Sequence, residues 1–201
     1  MNTKTNQKAM TLIEILVALG IFLLATTMMW LYITNSYKIQ NFSFEQSSAI
    51  EEARRGVETM TKELREALPG DNGSYPIQLA EDDELIFFAD FDRDSQIEKV
   101  HYWLEGSDFK KGVTEASGTP LEYSADDEIV TTLSRYVRNA DGKVFTYRDG
   151  DYNELSTPSD PDSVKLVHLF LKINVTPDRA PLDFDLESDV SIRNLKENLG
   201  S

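Results

Sequence analysis

The stretch Lys8-Ala9-Met10-Thr11-Leu12-Ile13-Glu14-Ile15-Leu16-Val17-Ala18-Leu19-Gly20-Ile21-Phe22 decides the reading, because from Ile15 to Tyr37 no residue is charged. At about 1.5 Å per residue, a helix of that length crosses a hydrocarbon core of about 30 Å. Trp30, Tyr32 and Tyr37 gather towards its outer end, where an interfacial aromatic belt would sit. Residues 1–9 are polar and carry Lys4 and Lys8 without any acid, which favours the N-terminus inside and the remainder outside the cytoplasm. A secretory signal peptide has a shorter apolar region and a cleavage site on its far side. A plain anchor accounts for the length but not for Glu14. A carboxylate inside an apolar span costs about 2.5–3.5 kcal/mol on insertion scales, less near the interface, and therefore calls for a partner.

These residues carry a resemblance. Lys8 to Glu14, with the apolar run that follows, resembles the class III signal of type IV pilins and type II secretion pseudopilins. In that family a basic leader ends in a small residue, a prepilin peptidase cuts after it on the cytoplasmic side, and the new first residue is N-methylated. The resemblance implies cleavage between Ala9 and Met10, methylation at Met10, and Glu14 as the fifth residue of the mature chain. Ala9 stands where Gly is commonest, and Met10 where Phe is. The family's glutamate pairs with the terminal ammonium of a neighbouring subunit, and a buried charge that is costly alone becomes tolerable when paired. The implied partners are prepilin peptidase, other pilin or pseudopilin subunits met through the N-terminal helix, and an inner-membrane assembly platform. The implied location is the cytoplasmic membrane, crossed once, before assembly into a pilus or pseudopilus.

The helix does not end with the span. Ala49/Ile50, Ala53, Val57, Met60, Leu64 and Ala67/Leu68 recur at the 3-and-4 spacing of one helix face. The opposite face is assigned Glu51, Glu52, Arg54, Arg55, Glu58, Lys62, Glu63, Arg65 and Glu66, with Glu51–Arg55, Glu58–Lys62 and Lys62–Glu66 four apart. Pro69-Gly70 ends the pattern. The organisation is thus a leader over 1–9, a transmembrane and polymerisation helix over 10–37, an amphipathic continuation over 38–68, and a β-rich head over 69–201. Strands are expected at Ile77–Leu79, Glu84–Ala89, Lys99–Leu104, Val144–Tyr147, Val164–Val175 and Phe184–Arg193, with Glu122–Leu133 ambiguous. The fold class is α+β: a long helix packed on a mostly antiparallel sheet, the pilin arrangement. The run Glu84–Leu104 looks like the acidic hairpin of W-type minor pilins and J-type minor pseudopilins. Asp189-Val-Ser-Ile-Arg-Asn-Leu195 resembles their final strand, while Glu14 argues against the K-type, which lacks it.

Composition closes several classes. The 201 residues hold 20 Lys+Arg against 35 Asp+Glu, a net charge of −15, which excludes nucleic acid as a main partner. No cysteine is present, so disulfides, thiol catalysis and Cys-based zinc sites are closed. His101 and His168 lie in strand-like segments as packed or surface imidazoles, and no nucleophile elbow, phosphate loop or zinc spacing occurs. The reading is a structural subunit and not an enzyme. Asp90, Asp92 and Asp94 alternate as at the start of an EF-hand loop, which makes calcium the one ion candidate and no cofactor expected. Ser95 stands where that loop needs glycine and His101 where it needs a bidentate Glu, so a hairpin turn with solvated aspartates competes. Three functions follow: a minor subunit that initiates or caps a filament, a filament-tip adhesin, and a major filament subunit.

Overall fold

The computed structural model describes residues 11–177 and 183–195. Ala9 and Met10, the expected processing pair, lie outside the described residues. The chain divides into two compact units between Glu45 and Gln46. One helix, α1 (Leu12–Arg65), runs through both. Its hydrogen-bonded backbone continues across Asn41-Phe42-Ser43, where the sequence is rich in poor helix formers.

In the first unit the large apolar side chains from Leu12 to Ile39 stand exposed, Leu12 at 81% and Trp30 at 69%. A helix that is apolar all round and buries none of that surface on its own chain is built for another apolar medium. Three threonines within it satisfy their hydroxyls on the helix backbone. Thr26 Oγ1 donates to Phe22 O at 2.9 Å, Thr27 Oγ1 to Leu23 O at 2.6 Å and Thr34 Oγ1 to Leu31 O at 3.0 Å. Such back-bonding lets hydroxyls enter a span without unmet polar groups.

The second unit is the head. Five strands, β1 (Ile77–Ala80), β2 (Glu84–Ala89), β3 (Glu98–Glu105), β4 (Asp108–Thr114) and β5 (Ile129–Ser134), form an antiparallel sheet in chain order. A second antiparallel sheet takes β6 (Phe145–Arg148), β7 (Leu166–Ile173) and β8 (Phe184–Ser191), with β7 central as its apolar sequence suggests. Val167, Leu169, Leu171 and Ile173 of β7 alternate inward, the period-2 signature of a half-buried strand. Asp82 joins the two sheets. Its carbonyl accepts Val144 N at 2.7 Å and Phe145 N at 2.8 Å, and its carboxylate accepts Thr157 Oγ1 and pairs with Lys143 Nζ at 3.1 Å. The buried Tyr147 adds a hydroxyl bond to Glu81 O at 2.7 Å.

From Gln46 onward α1 packs on this framework through the expected face: Ala49, Ala53, Val57, Met60 and Leu64 are buried, as is Ala67 just past its end. Gln46 fixes its start, accepting Val175 N at 3.0 Å. At its end the chain leaves the helix four residues before Pro69, and Leu68 N donates to Phe88 O at 2.8 Å.

The α+β class stands, a long helix on antiparallel β-structure that divides into two sheets. Four expectations need correction. β4, carrying Lys110, Lys111 and Gly112, was not anticipated, because two lysines and a glycine mask its alternation. Arg193–Leu195 forms a 3-10 turn, so the final strand stops at Ser191. Of the three i,i+4 pairs only Glu51–Arg55 forms, at 3.7 Å, among the described residues. Most consequential, Glu63 is not on the solvent face but 8% exposed: its Oε1 accepts Lys111 Nζ at 2.5 Å and its Oε2 accepts Tyr102 OH at 2.6 Å. Tyr102 is sandwiched between Phe87 and Phe109, and burial, reinforced by Glu63, pushes its hydroxyl well above the ordinary range. A charge on α1 is thus matched by a charge on β4 beneath it, a polar lock inside an apolar interface.

Candidate functional site

The N-terminal end of α1 is built from four residues. Thr11 sits before the first helical residue, and its carbonyl accepts Glu14 N at 3.1 Å. Thr11 Oγ1 accepts the same Glu14 N–H at 3.4 Å, and Glu14 Oε2 reaches back to Thr11 N at 3.2 Å. This reciprocal pair is a capping box, in which the Ser/Thr-x-x-Glu spacing satisfies two otherwise orphan helix donors. The carboxylate also sits at the positive end of the helix dipole. Glu14 is therefore folded back on its own helix terminus, while the neighbouring apolar side chains of Leu12, Ile13, Ile15 and Leu16 stand exposed. Thr11 is the residue the sequence reading missed, although its spacing to Glu14 was legible.

The second feature is the loop between β2 and β3. Carboxylate oxygens of Asp90, Asp92 and Glu98 lie within 4.8 Å of one another. Asp94, the third residue expected there, turns away: its Oδ1 accepts Gln96 N at 2.8 Å and its Oδ2 accepts Gln96 Nε2 at 2.9 Å. Glu98 replaces it. That side chain is 3% exposed, and its Oε2 accepts Phe91 N at 3.3 Å. Burial, helped by Asp92 and Asp94, pushes the Glu98 carboxyl up to about 7. The loop turns without glycine, with Arg93 at φ 68° and Ser95 at φ 76°. Asp90 holds that turn, accepting Arg93 N at 2.7 Å and Ser95 N at 3.3 Å. All three convergent donors are carboxylate oxygens, the donor set a hard cation takes.

Neither histidine lies with a nucleophile. His101 stands between Glu84, 2.9 Å from Nε2 but out of line for a hydrogen bond, and Glu128, 2.9 Å from Nδ1. Its ring stacks on Trp103 at 4.2 Å. Gly112 makes this possible, since a Cβ there would meet Glu128 Oε1 at 2.0 Å. His168 pairs with Asp189 across β7 and β8 at 3.0 Å.

Residues 4–30 match the prokaryotic N-terminal methylation motif. No curated protein matches the chain. The motif covers residues 4–9, the Thr11–Glu14 capping box and most of the uncharged run together. The chain thus carries a type IV pilin-like signal of class III, and among the described residues one helix, α1, is apolar and long enough to cross a membrane. That signal implies processing by prepilin peptidase and assembly with other subunits that carry it.

Proposed function

We propose that the protein is a minor subunit of a type IV pilus or type II secretion pseudopilus, cut between Ala9 and Met10, methylated at Met10, and assembled through Glu14. The observation that carries this reading is a carboxylate capping a helix whose large apolar side chains from Leu12 to Ile39 stand exposed, within a matched methylation motif. Glu14 needs a cation in an apolar filament core, and the ammonium released by cleavage is the nearest one the chain's own chemistry supplies. The function is then mechanical, with the −15 chain presenting an acidic head outside the membrane. The run Glu84–Leu104, which looks like the acidic hairpin of W-type minor pilins and J-type minor pseudopilins, favours initiation or capping over bulk polymerisation. Glu14→Ala is expected to reach the membrane and be processed, yet to be missing from sheared filaments. Its normal incorporation would remove the pairing role. The abundance of the wild-type chain in the same filaments separates a minor from a major subunit, and binding of detached heads to host surfaces would point to an adhesin.

A second reading is favoured by Glu98: the β2–β3 loop binds calcium through Asp90, Asp92 and Glu98. Three carboxylates, one of them buried, are held together with no lysine or arginine paired to them among the described residues. Millimolar calcium is expected to raise the melting temperature of the wild type and of Asp94→Asn, but not of Glu98→Gln. Equal responses in all three, or none in the wild type, would end this reading.

A further inference from the structure

Each of the two sheets ends in two edge strands, and three of those four edges are guarded. Ser159 N donates to Ala80 O at 2.8 Å on β1. The returning chain covers β6, where Leu155 N donates to Tyr147 O at 2.9 Å and Glu154 bridges Arg148. β8 places Asp185, Glu187 and Asp189 at alternate exposed positions, and charges on an edge repel further pairing. β5 has none of these devices over Ile129–Thr132, and α1 meets it only at its end, where Gly56 lies against Leu133. Its sequence, Ile-Val-Thr-Thr-Leu-Ser, contains no charge and no proline, and its first four residues are exposed, Ile129 at 71% and Val130 at 49%. One side of β5 pairs with β4 in regular register from Ile129 to Thr132, and the irregularity at Phe109/Lys110 falls beyond them. The other side pairs with no described strand. A neutral, β-branched, regular edge within a chain of net charge −15 is where a further strand adds.

We propose that β5 pairs antiparallel with β5 of a second copy of this chain, joining two heads through one continuous sheet. The charges flanking the strand favour this occupant. Asp126 and Asp127 precede β5 and are exposed, while Arg135 follows it, exposed and in no ion pair among the described residues. Antiparallel self-pairing lays the arginine of each copy beside the aspartates of the other, twice by symmetry. At the centre it sets Thr131 and Thr132 near their counterparts, a favourable cross-strand combination. The overall negative charge opposes this approach, but at physiological salt charges interact weakly beyond about 8 Å. Strand addition needs neither the leader nor Glu14, so it goes beyond the filament reading.

The absence of cysteine makes the test direct. Full-length chains carrying Val130→Cys, Thr131→Cys or Thr132→Cys are expressed in membranes and mildly oxidised, with the exposed loop substitution Tyr152→Cys as the collision control. All are made on the Glu14→Ala background, so that filament neighbours do not contribute. At least one β5 position is expected to form disulfide dimers about tenfold above the control, the factor that about 1.4 kcal/mol of pairing gives. Arg135→Glu should return that yield to the control level, and adding Asp126→Lys and Asp127→Lys should restore it. Yields at all three positions equal to the control, adducts with a different protein only, or no response to the charge exchange would each overturn self-pairing.

Discussion

Lys111→Met tests the polar lock between α1 and the five-stranded sheet. Lys111 and Glu63 expose only 10% and 8% of their side chains, and their ends meet at 2.5 Å. Removing the lysine leaves the Glu63 carboxylate buried with Tyr102 OH as its remaining partner. Breaking a buried pair from one side costs about 3–5 kcal/mol. The retained tyrosine bond places this case at the lower end, about 3 kcal/mol. In a chain of this size each kcal/mol lowers Tm by about 2–4 °C, so the loss should be about 6–12 °C. Glu63→Leu with Lys111→Met and Tyr102→Phe removes all three polar groups together and should lie within about 1 kcal/mol of wild type, since apolar replacement of buried pairs is often neutral or stabilising. Denaturant unfolding in detergent, followed by Trp103 fluorescence on a Trp30→Phe background, reads the head alone, because these are the two tryptophans. A loss below about 1 kcal/mol in Lys111→Met, or a triple variant as unstable as the single one, would refute the buried-pair reasoning.

The capping box predicts that Thr11→Val lowers helix stability at the N-terminus by about 1 kcal/mol. Amide exchange at residues 12–15 should rise, and unchanged protection would remove the cap. Gly112→Ala forces Glu128 away from His101 and should cost about 1–2 kcal/mol. If the same substitution on a Glu128→Ala background costs as much, the steric explanation fails. The hydrogen bond from Thr157, with help from Lys143, holds the Asp82 carboxyl below its ordinary 3.8. Its contribution is present above 3.8 and lost as the pH falls through the lower folded value, so Asp82→Asn should flatten the acid limb of the stability curve and leave its slope near neutrality unchanged. An acid limb identical to wild type would separate Asp82 from that loss.

The sequence was most legible where one periodicity acted alone. The uncharged run from Ile15 to Tyr37 and the face from Ala49 to Ala67 gave the helix, because burial follows spacing directly there. β2 was legible to the residue, and β7 stood out as a long alternating apolar run. β4 was not, because Lys111 points inward to Glu63 and Gly112 makes room for Glu128, so two of its positions obey partners on other elements. Glu63 was misplaced for the same reason: charge alone suggested solvent, and its partner lies 48 residues away. Asp90 and Asp92 could be named from their local spacing, but Glu98 joins them through the β2–β3 turn, and Asp94 is drawn off by Gln96. Glu14 was legible because a lone carboxylate in an apolar run has no neutral explanation. Its partner Thr11 carries the Ser/Thr-x-x-Glu capping spacing in the sequence too, but ahead of an uncharged run rather than an amphipathic one.

A filament role requires the chain to be processed at the start of that helix. Intact-mass and N-terminal peptide mass spectrometry of the protein recovered from native membranes tests this directly. Processing predicts a chain that begins at Met10, lacks residues 1–9 and carries one extra methyl group on the Met10 nitrogen. A chain that retains the leader, or one cut beyond Tyr37 so that Glu14 and the span are lost, would contradict it.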